Sequence, residues 1–252
     1  MGSPEIRLLG ESIGEMQSRL EGKNYIEDYI RALTHEMKSP LTGIRGAAEI
    51  LRDLSDDGRS LRFIDNIDSE SRRMQDLVER MLQLSRLENV RAITRQGIEA
   101  GLFFHELAGS LQARLDEKSQ TLRLAVQESL LLQADPFLLR LAVNNLIVNA
   151  MDFAPSGSTI TLTASGCPEH GEERVFRHGA EISVRDEGPG IPDFALPKVF
   201  DKFFSLARPD TGKQSSGLGL PFVREVAALH GGRVLLSNRS PGLEARLLLP
   251  GA

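Results

Sequence analysis

Apolar residues recur every seven positions along residues 26–54, and this repeat constrains the chain more than any other feature. Ile30, Met37, Ile44 and Leu51 form one series; Ile26, Leu33, Ala47 and Leu54 form the other, into which Pro40 also falls. Such a repeat describes a helix packed lengthwise against partner helices. In that register His35 points farthest from the seam, with Glu36 as its neighbour, and Pro40 should bend the helix just beyond them. An imidazole turned to water beside an acid suggests a reactive group presented to something outside the bundle. Standing alone, an exposed helical histidine carries no such meaning, so its significance rests on the second half of the chain.

Ser55-Asp56-Asp57-Gly58 is a turn cluster, and a second helix is expected from about Ser60 to Asn89. Its inner seam reads Ile64, Ile67, Met74, Val78 and Met81. Two such helices joined by a short loop form an antiparallel hairpin. One hairpin cannot bury both its faces, so two copies are expected to form a dimeric four-helix bundle. The alternative is a monomeric hairpin lying on the rest of the chain. Ahead of the repeat, Ile6, Leu8, Leu9, Ile13, Met16 and Leu20 read as a helical lead-in of moderate amphipathicity.

After Arg91 the period changes. An amphipathic helix is expected over Leu102–Lys118, a strand over Thr121–Val126 and a short strand over Leu130–Gln133. Asp135-Pro136 starts a helix that runs to about Phe153. Strands follow at Thr159–Ala164 and Glu181–Arg185, with a polar hairpin tip over Gly166–Gly179. Residues 186–216 have the composition of a long loop, which inside a compact domain is usually functional. A helix from Gly217 to about His230 and strands at Arg233–Ser237 and Leu243–Leu249 complete an α+β sandwich, helices on one face of a mixed sheet. The expected organisation is therefore a lead-in over 1–24, a helical hairpin over 25–91 and an α/β domain over 92–252.

Composition narrows the function. The formal net charge of −5 argues against nonspecific nucleic-acid binding. Cys167 is the only cysteine, which excludes a disulfide framework and a cysteine-based zinc site. No apolar run approaches the roughly 18 to 20 residues that span a bilayer. Met1-Gly2-Ser3 reads as an added leader, so the chain is expected to be a fragment of a longer protein.

Three motifs of the second half carry chemistry. Asn145 and Asn149 share a helix face, where an amide oxygen is a suitable hard ligand for Mg²⁺; hydrogen bonding across a helix–sheet contact is the structural alternative. Asp186-Glu187-Gly188-Pro189-Gly190 follows a strand, and a carboxylate backed by glycines suits an adenine amino group, though it could equally be a plain turn. Gly217-Leu218-Gly219 at a helix start could receive phosphate on backbone N–H groups. Between the last two, Val199-Phe200-Asp201-Lys202-Phe203-Phe204-Ser205 places three Phe and a Lys in a polar loop.

In this order and spacing the motifs resemble the N, G1, F and G2 boxes of the GHKL ATPases, and with His35 they resemble the sensor histidine kinases from about Ile26 to the end. Thr34-His35-Glu36-Met37-Lys38-Ser39-Pro40-Leu41, Arg45-Gly46-Ala47-Ala48-Glu49-Ile50-Leu51 and Ser215-Ser216-Gly217-Leu218-Gly219-Leu220 are similar to the CreC-type branch of that family. The resemblance implies His35 as phosphoacceptor, Glu36 as the acid that orients and deprotonates it, and Ser39 at the position governing phosphatase activity. It implies Asn149 as Mg²⁺ ligand supported by Asn145, Asp186 as the adenine-binding residue and Phe153 along the base. Gly188, Gly190, Gly217, Leu218, Gly219 and Leu220 would border the nucleotide, with Lys202 and Arg208 as candidate phosphate contacts.

Four positions depart from the pattern of the family the chain resembles: Ser39 where Thr or Asn is frequent, Gln214 and Ser215 in place of further glycines, and Asp152 where a basic residue is frequent. What the resemblance implies overall is an ATP- and Mg²⁺-dependent histidine kinase. It would be a homodimer that passes its phosphoryl group to a response-regulator receiver domain, and would form the cytoplasmic portion of a bacterial inner-membrane protein. The rival is a conformational ATPase of the gyrase or chaperone kind, which has no His-Glu-x-x-Ser-Pro helix ahead of its nucleotide domain. A zinc hydrolase would need a second histidine where Ser39 stands.

Overall fold

The computed structural model describes residues 37–51, 60–88, 90, 92–167, 179–210, 212 and 215–251. The lead-in, the Ser55–Gly58 turn, His35 and Glu36 lie outside the described residues. The chain divides into two compact units, Met1–Glu79 and Arg80–Ala252, so the division falls inside the second helix rather than at its end.

In the first unit, helix α1 occupies 37–51 and helix α2 begins at Ser60 and extends to Glu88. Pro40 and Ala47 are buried while Met37, Ile44 and Leu51 are half-buried, so both heptad series of α1 face inward. The two helices approach at Gly43, where an added β-carbon would sit 3.4 Å from Glu70 Cγ. On α2 the expected seam needs correction. Ile67 and Met74 are half-buried and Leu77 is buried, but Ile64 and Val78 are 50% and 41% exposed. The inward line advances by three and four residues through 67, 70, 74 and 77, which leaves Ile64 and Val78 on the flank.

The second unit is built on a five-stranded sheet. Its strands are β2 (Thr121–Val126), β4 (Thr159–Gly166), β5 (Ala180–Arg185), β6 (Arg233–Asn238) and β7 (Leu243–Leu249), in the order β2-β4-β5-β7-β6. Only β2 and β4 run parallel. In a separate antiparallel pair, β3 (Leu131–Ala134) lies one residue on from the expected strand, while its partner β1 (Gln96–Glu99) was not expected, because Ile98 is the only buried residue of β1 and gives no alternation. Helices α3 (Ala100–Glu117), α4 (Pro136–Phe153) and α5 (Gly219–Leu229) pack against the sheet.

Alternation decides which face they cover. Ile160, Leu162 and Ala164 of β4, Ile182 and Val184 of β5, and Ala245, Leu247 and Leu249 of β7 are buried. They share a core with Phe104, Leu107 and Leu115 of α3, Leu139, Ile147 and Met151 of α4, and Phe222 and Val226 of α5. Burying each large side chain contributes about 1.5–3 kcal/mol. The other face is polar: the Thr163 and Ser183 hydroxyls lie 2.7 Å apart, and Arg246 binds Glu181 through two N–H groups at 2.8 and 2.9 Å.

Both ends of α4 are fixed by side chains. Asp135 Oδ1 accepts from the backbone N–H groups of Phe137 and Leu138 at 3.1 Å each, and Pro136 takes the first helical position, as expected. At the far end, Gln120 Nε2 donates to the carbonyls of Met151, Ala154 and Pro155, and Lys118 Nζ donates to Met151 O at 2.9 Å. His230 joins α5 to α4. Its Nε2 accepts from Asp135 N at 2.9 Å, so Nδ1 carries the proton and donates to Val226 O at 2.8 Å. Among the described residues no helix is long and apolar enough to cross a membrane.

Candidate functional site

A cleft of about 830 Å³, counted to its open mouth, lies between α4, the start of α5, the inner face of the sheet and residues 190–206. Its floor is apolar, made by Leu146, Ala150, Val184, Leu236, Leu243 and Ala245. Asp186, one residue past β5, supplies a carboxylate at its edge and is only 5% exposed. Asp186 Oδ1 accepts from Gly188 N at 2.8 Å and Leu243 N at 3.2 Å, while Oδ2 has no hydrogen bond to a described residue. Burial pushes the carboxyl above the usual carboxylate range, against the two backbone donors and the charge of Arg185, which pull it down. An ionised oxygen in an apolar cleft is suited to accept from a ligand N–H.

The glycines after Asp186 are required by close approach. A β-carbon on Gly188 would lie 2.8 Å from Phe153 O; on Gly190, whose φ is +75°, it would lie 2.8 Å from Asn238 Oδ1. Asn238 clamps the same loop, with Oδ1 accepting from Ile191 N at 2.8 Å and Nδ2 donating to Ile191 O at 2.7 Å. Phe153 lines the cleft beside this loop.

Across the cleft, Asn149 of α4 faces the entry to α5. A β-carbon on Gly219 would come within 3.4 Å of both amide atoms of Asn149 and 3.3 Å of Asn145 Oδ1. Asn145 is buried and donates to Leu141 O at 2.8 Å, so it shapes the floor under Gly219 and does not line the cleft. No side chain caps the start of α5. Gly217, Gly219 and Leu220 line the cleft there, and Leu218 is fully buried beneath them. Backbone N–H groups at an uncapped helix start form an anion site.

Two of the loop's three aromatics, Phe200 and Phe204, pack on apolar neighbours. Ile191, Ala195 and Val199 form a buried cluster joined by Phe200, Phe204, Leu206, Leu220 and Leu236. Phe203 has φ +67° and its N–H donates to Gly217 O at 3.0 Å; a side chain on Gly217 would overlap the Phe203 backbone. Ser205 Oγ accepts from Ser215 N at 3.0 Å.

Two expected cleft residues sit elsewhere. Lys202 pairs with Glu88 at 2.5 Å, and Arg208 pairs with Asp152 at 2.7 Å; neither lines the cleft. Ser39 is exposed on α1, in the other unit. Asn238 and Gly242 were missed because both read as turn residues around Ser240-Pro241. Their only sequence signal was an Asn and a Gly flanking residues 239–241, the turn between the last two strands.

Residues 26–90 match the His Kinase A (phospho-acceptor) domain, and residues 134–252 match the histidine kinase-, DNA gyrase B- and HSP90-like ATPase family. Over 242 residues the chain is 44% identical to sensor protein CreC of Escherichia coli (strain K12), covering 96% of this chain and 49% of that one. The chain thus spans about half the length of that relative. Among solved structures it is similar to histidine kinase ThkA in complex with response regulator protein TrrA, with a TM-score of 0.75 and 21% identity over 96% of this chain and 66% of that one. It is also similar to full-length ShkA in complex with AMPPNP, with a TM-score of 0.62 and 25% identity over 87% of this chain and 45% of that one. A phospho-acceptor hairpin followed by an ATPase fold, with Asp186, Asn149 and the uncapped start of α5 around one cleft, has one family meaning: the chain belongs to the sensor histidine kinases.

Proposed function

We propose that this chain binds ATP with Mg²⁺ in the cleft, phosphorylates His35, and passes the phosphoryl group to an aspartate of a response-regulator receiver domain. The observation that carries this is the convergence of three different ligand-binding groups on one apolar cleft. Asp186 Oδ2 accepts from the adenine amino group, Phe153 lies along the base, and the N–H groups at the start of α5 receive the phosphates.

Asn149 presents a hard amide oxygen beside that phosphate position, which fits Mg²⁺ held mainly by phosphates and water. Among the described residues no group of three or more His, Cys, Asp or Glu could hold a metal ion instead. When bound, the cation neutralises charge on the phosphates during transfer.

The transfer itself is an in-line displacement. A neutral ring nitrogen of His35 attacks the γ-phosphorus, the bond to the bridging oxygen breaks, ADP leaves, and the imidazole proton passes to Glu36. Positioning contributes most, since the protein forms no covalent bond before the transfer. Ser39, exposed on α1, influences water attack on the regulator's phosphoryl aspartate. The acting unit is a homodimer, and the chain is the cytoplasmic portion of a longer inner-membrane sensor. What favours a kinase over a conformational ATPase is the His35-Glu36 segment inside the matched phospho-acceptor span.

Incubation with γ-labelled ATP and Mg²⁺ tests this. Label that is acid-labile, base-stable and lost in His35→Gln is the expected result. ATP hydrolysis without protein labelling would establish the conformational ATPase instead.

A further inference from the structure

The cleft wall made by Phe204, Ser205 and Leu206 is fastened at both ends. Upstream it is held by the Phe203–Gly217 hydrogen bond and by Ser215 on Ser205. Downstream, Arg208 Nη2 lies 2.7 Å from Asp152 Oδ2 on α4. The second oxygen of Asp152 accepts from Arg114 of α3 at 2.8 Å, and Asp152 is only 6% exposed. Two residues past Arg208, Asp210 pairs at 2.8 Å with Lys118, whose ammonium also holds Met151 O. Arg208 Nε is buried without a hydrogen bond, so the contact with Asp152 is what holds the guanidinium. Such a carboxylate, shared between two arginines, is a stiff, charge-assisted joint.

Asp152 stands next to Phe153, which lines the cleft, and three residues beyond Asn149. Charge and distance therefore link the helix bearing the cleft's amide to the opposite wall of the same cleft. Resting on the reading of the cleft as an adenine-nucleotide site, we propose that Asp152 is a positioning residue for the nucleotide. Through Arg208 it holds the Phe204–Leu206 wall in place, and Arg208 acts on the base through that wall, not on the phosphates.

Adenosine and ADP separate the two roles of Arg208, because adenosine has no phosphate. Isothermal titration of the full chain with each, for wild type, Arg208→Ala, Asp152→Asn and the double variant, is the test, with thermal unfolding run alongside. Arg208→Ala should weaken adenosine and ADP by the same factor, about 3- to 10-fold, and the double variant should bind no worse than Asp152→Asn. Loss confined to ADP would make Arg208 a phosphate contact and overturn the proposal, as would additive losses in the double variant or unchanged affinity for both ligands. Should Asp152→Asn fail to fold, the adenosine-to-ADP comparison in Arg208→Ala still decides. Wild type that binds neither ligand would overturn the nucleotide reading itself, a result distinct from any change among variants.

Discussion

Gly242 passes so close to Asp186 that a β-carbon on Gly242 would overlap the Asp186 carbonyl oxygen, and its φ is +97°. The next residue completes the joint: Leu243 O accepts from Asp186 N at 3.0 Å, and Leu243 N donates to Asp186 Oδ1 at 3.2 Å. The aim of the carboxylate is therefore set by a turn more than fifty residues away in sequence.

Gly242→Ala should combine backbone strain with a direct overlap, costing at least about 1–3 kcal/mol and displacing Asp186. Gly212→Ala is the control, since Gly212 also has positive φ but nothing within 4 Å of the β-carbon position. Thermal unfolding should show a larger loss in Gly242→Ala than in Gly212→Ala, which carries the backbone strain alone, and ADP titration should show affinity falling in Gly242→Ala alone. Equal effects from the two substitutions would mean that the overlap is relieved without moving Asp186.

Asp186→Asn should separate folding from binding. Because burial raises the Asp186 pKa above its ordinary 3.8, the folded state holds that proton more tightly than the unfolded chain. Its contribution is thus most favourable at low pH and is lost as pH rises from 3.8 through the folded pKa. Asparagine keeps an Oδ1 acceptor for Gly188 and Leu243 and removes the buried charge. The empty protein should be as stable as wild type or more so at neutral pH. Its amide N–H₂ would then oppose the adenine amino group, a mispairing of about 1–3 kcal/mol or more. Undiminished ADP affinity would reduce Asp186 to a turn residue.

Elements with strong local signals were legible in the sequence. Asp135-Pro136 marked the start of α4 because the cap and the proline act on adjacent residues, and β2 showed its alternation. Asn149, Asp186, Gly190, Gly217 and Gly219 stood out from local motifs, Phe153 and Leu220 came from the family resemblance, and all seven line the cleft. What was illegible depends on partners distant in sequence. The resemblance offered Arg208 as a candidate phosphate contact, and its pairing with Asp152 could not be read from the sequence. Ile64 and Val78 fitted a heptad equally well on either side of the true seam, and only packing against α1 selects the line through Leu77.

His230 makes a pH prediction of the opposite sign. It is 1% exposed, and burial lowers its pKa below 6.5, with Arg95 pulling the same way and Asp135 and the Val226 carbonyl opposing. A proton on Nε2 would destroy the acceptor for Asp135 N, at the start of α4. The unfolded chain therefore binds the proton first, so this contribution is full above pH 6.5 and falls as pH drops through the lowered folded value. Denaturant midpoints for wild type and His230→Gln should converge as pH is lowered from about 7.5 to about 5. Parallel curves would show that His230 titrates alike in the folded and unfolded states.

The last prediction concerns the hairpin. Leu41 and Ile50 on α1, with Ile64 and Val78 on α2, are large apolar side chains between 41% and 57% exposed. Pro40, Ala47 and Leu77 already fill the seam within the chain, so these four remain as apolar surface on the described part of the first unit. Ile64 and Val78 lie on one side of α2, and a second copy related by a two-fold axis would present the same pair and cover it. Covering the exposed half of each removes about 0.8–1.5 kcal/mol of apolar hydration. Light scattering of the whole chain at micromolar concentration should therefore give a dimer without nucleotide. Ile64→Glu with Val78→Glu places four carboxylates at that contact, two from each copy, and should shift the chain to a monomer that still binds ADP in its second unit. A wild-type chain that scatters as a monomer, or a doubly substituted chain that stays dimeric, would place the contact between copies somewhere other than this face.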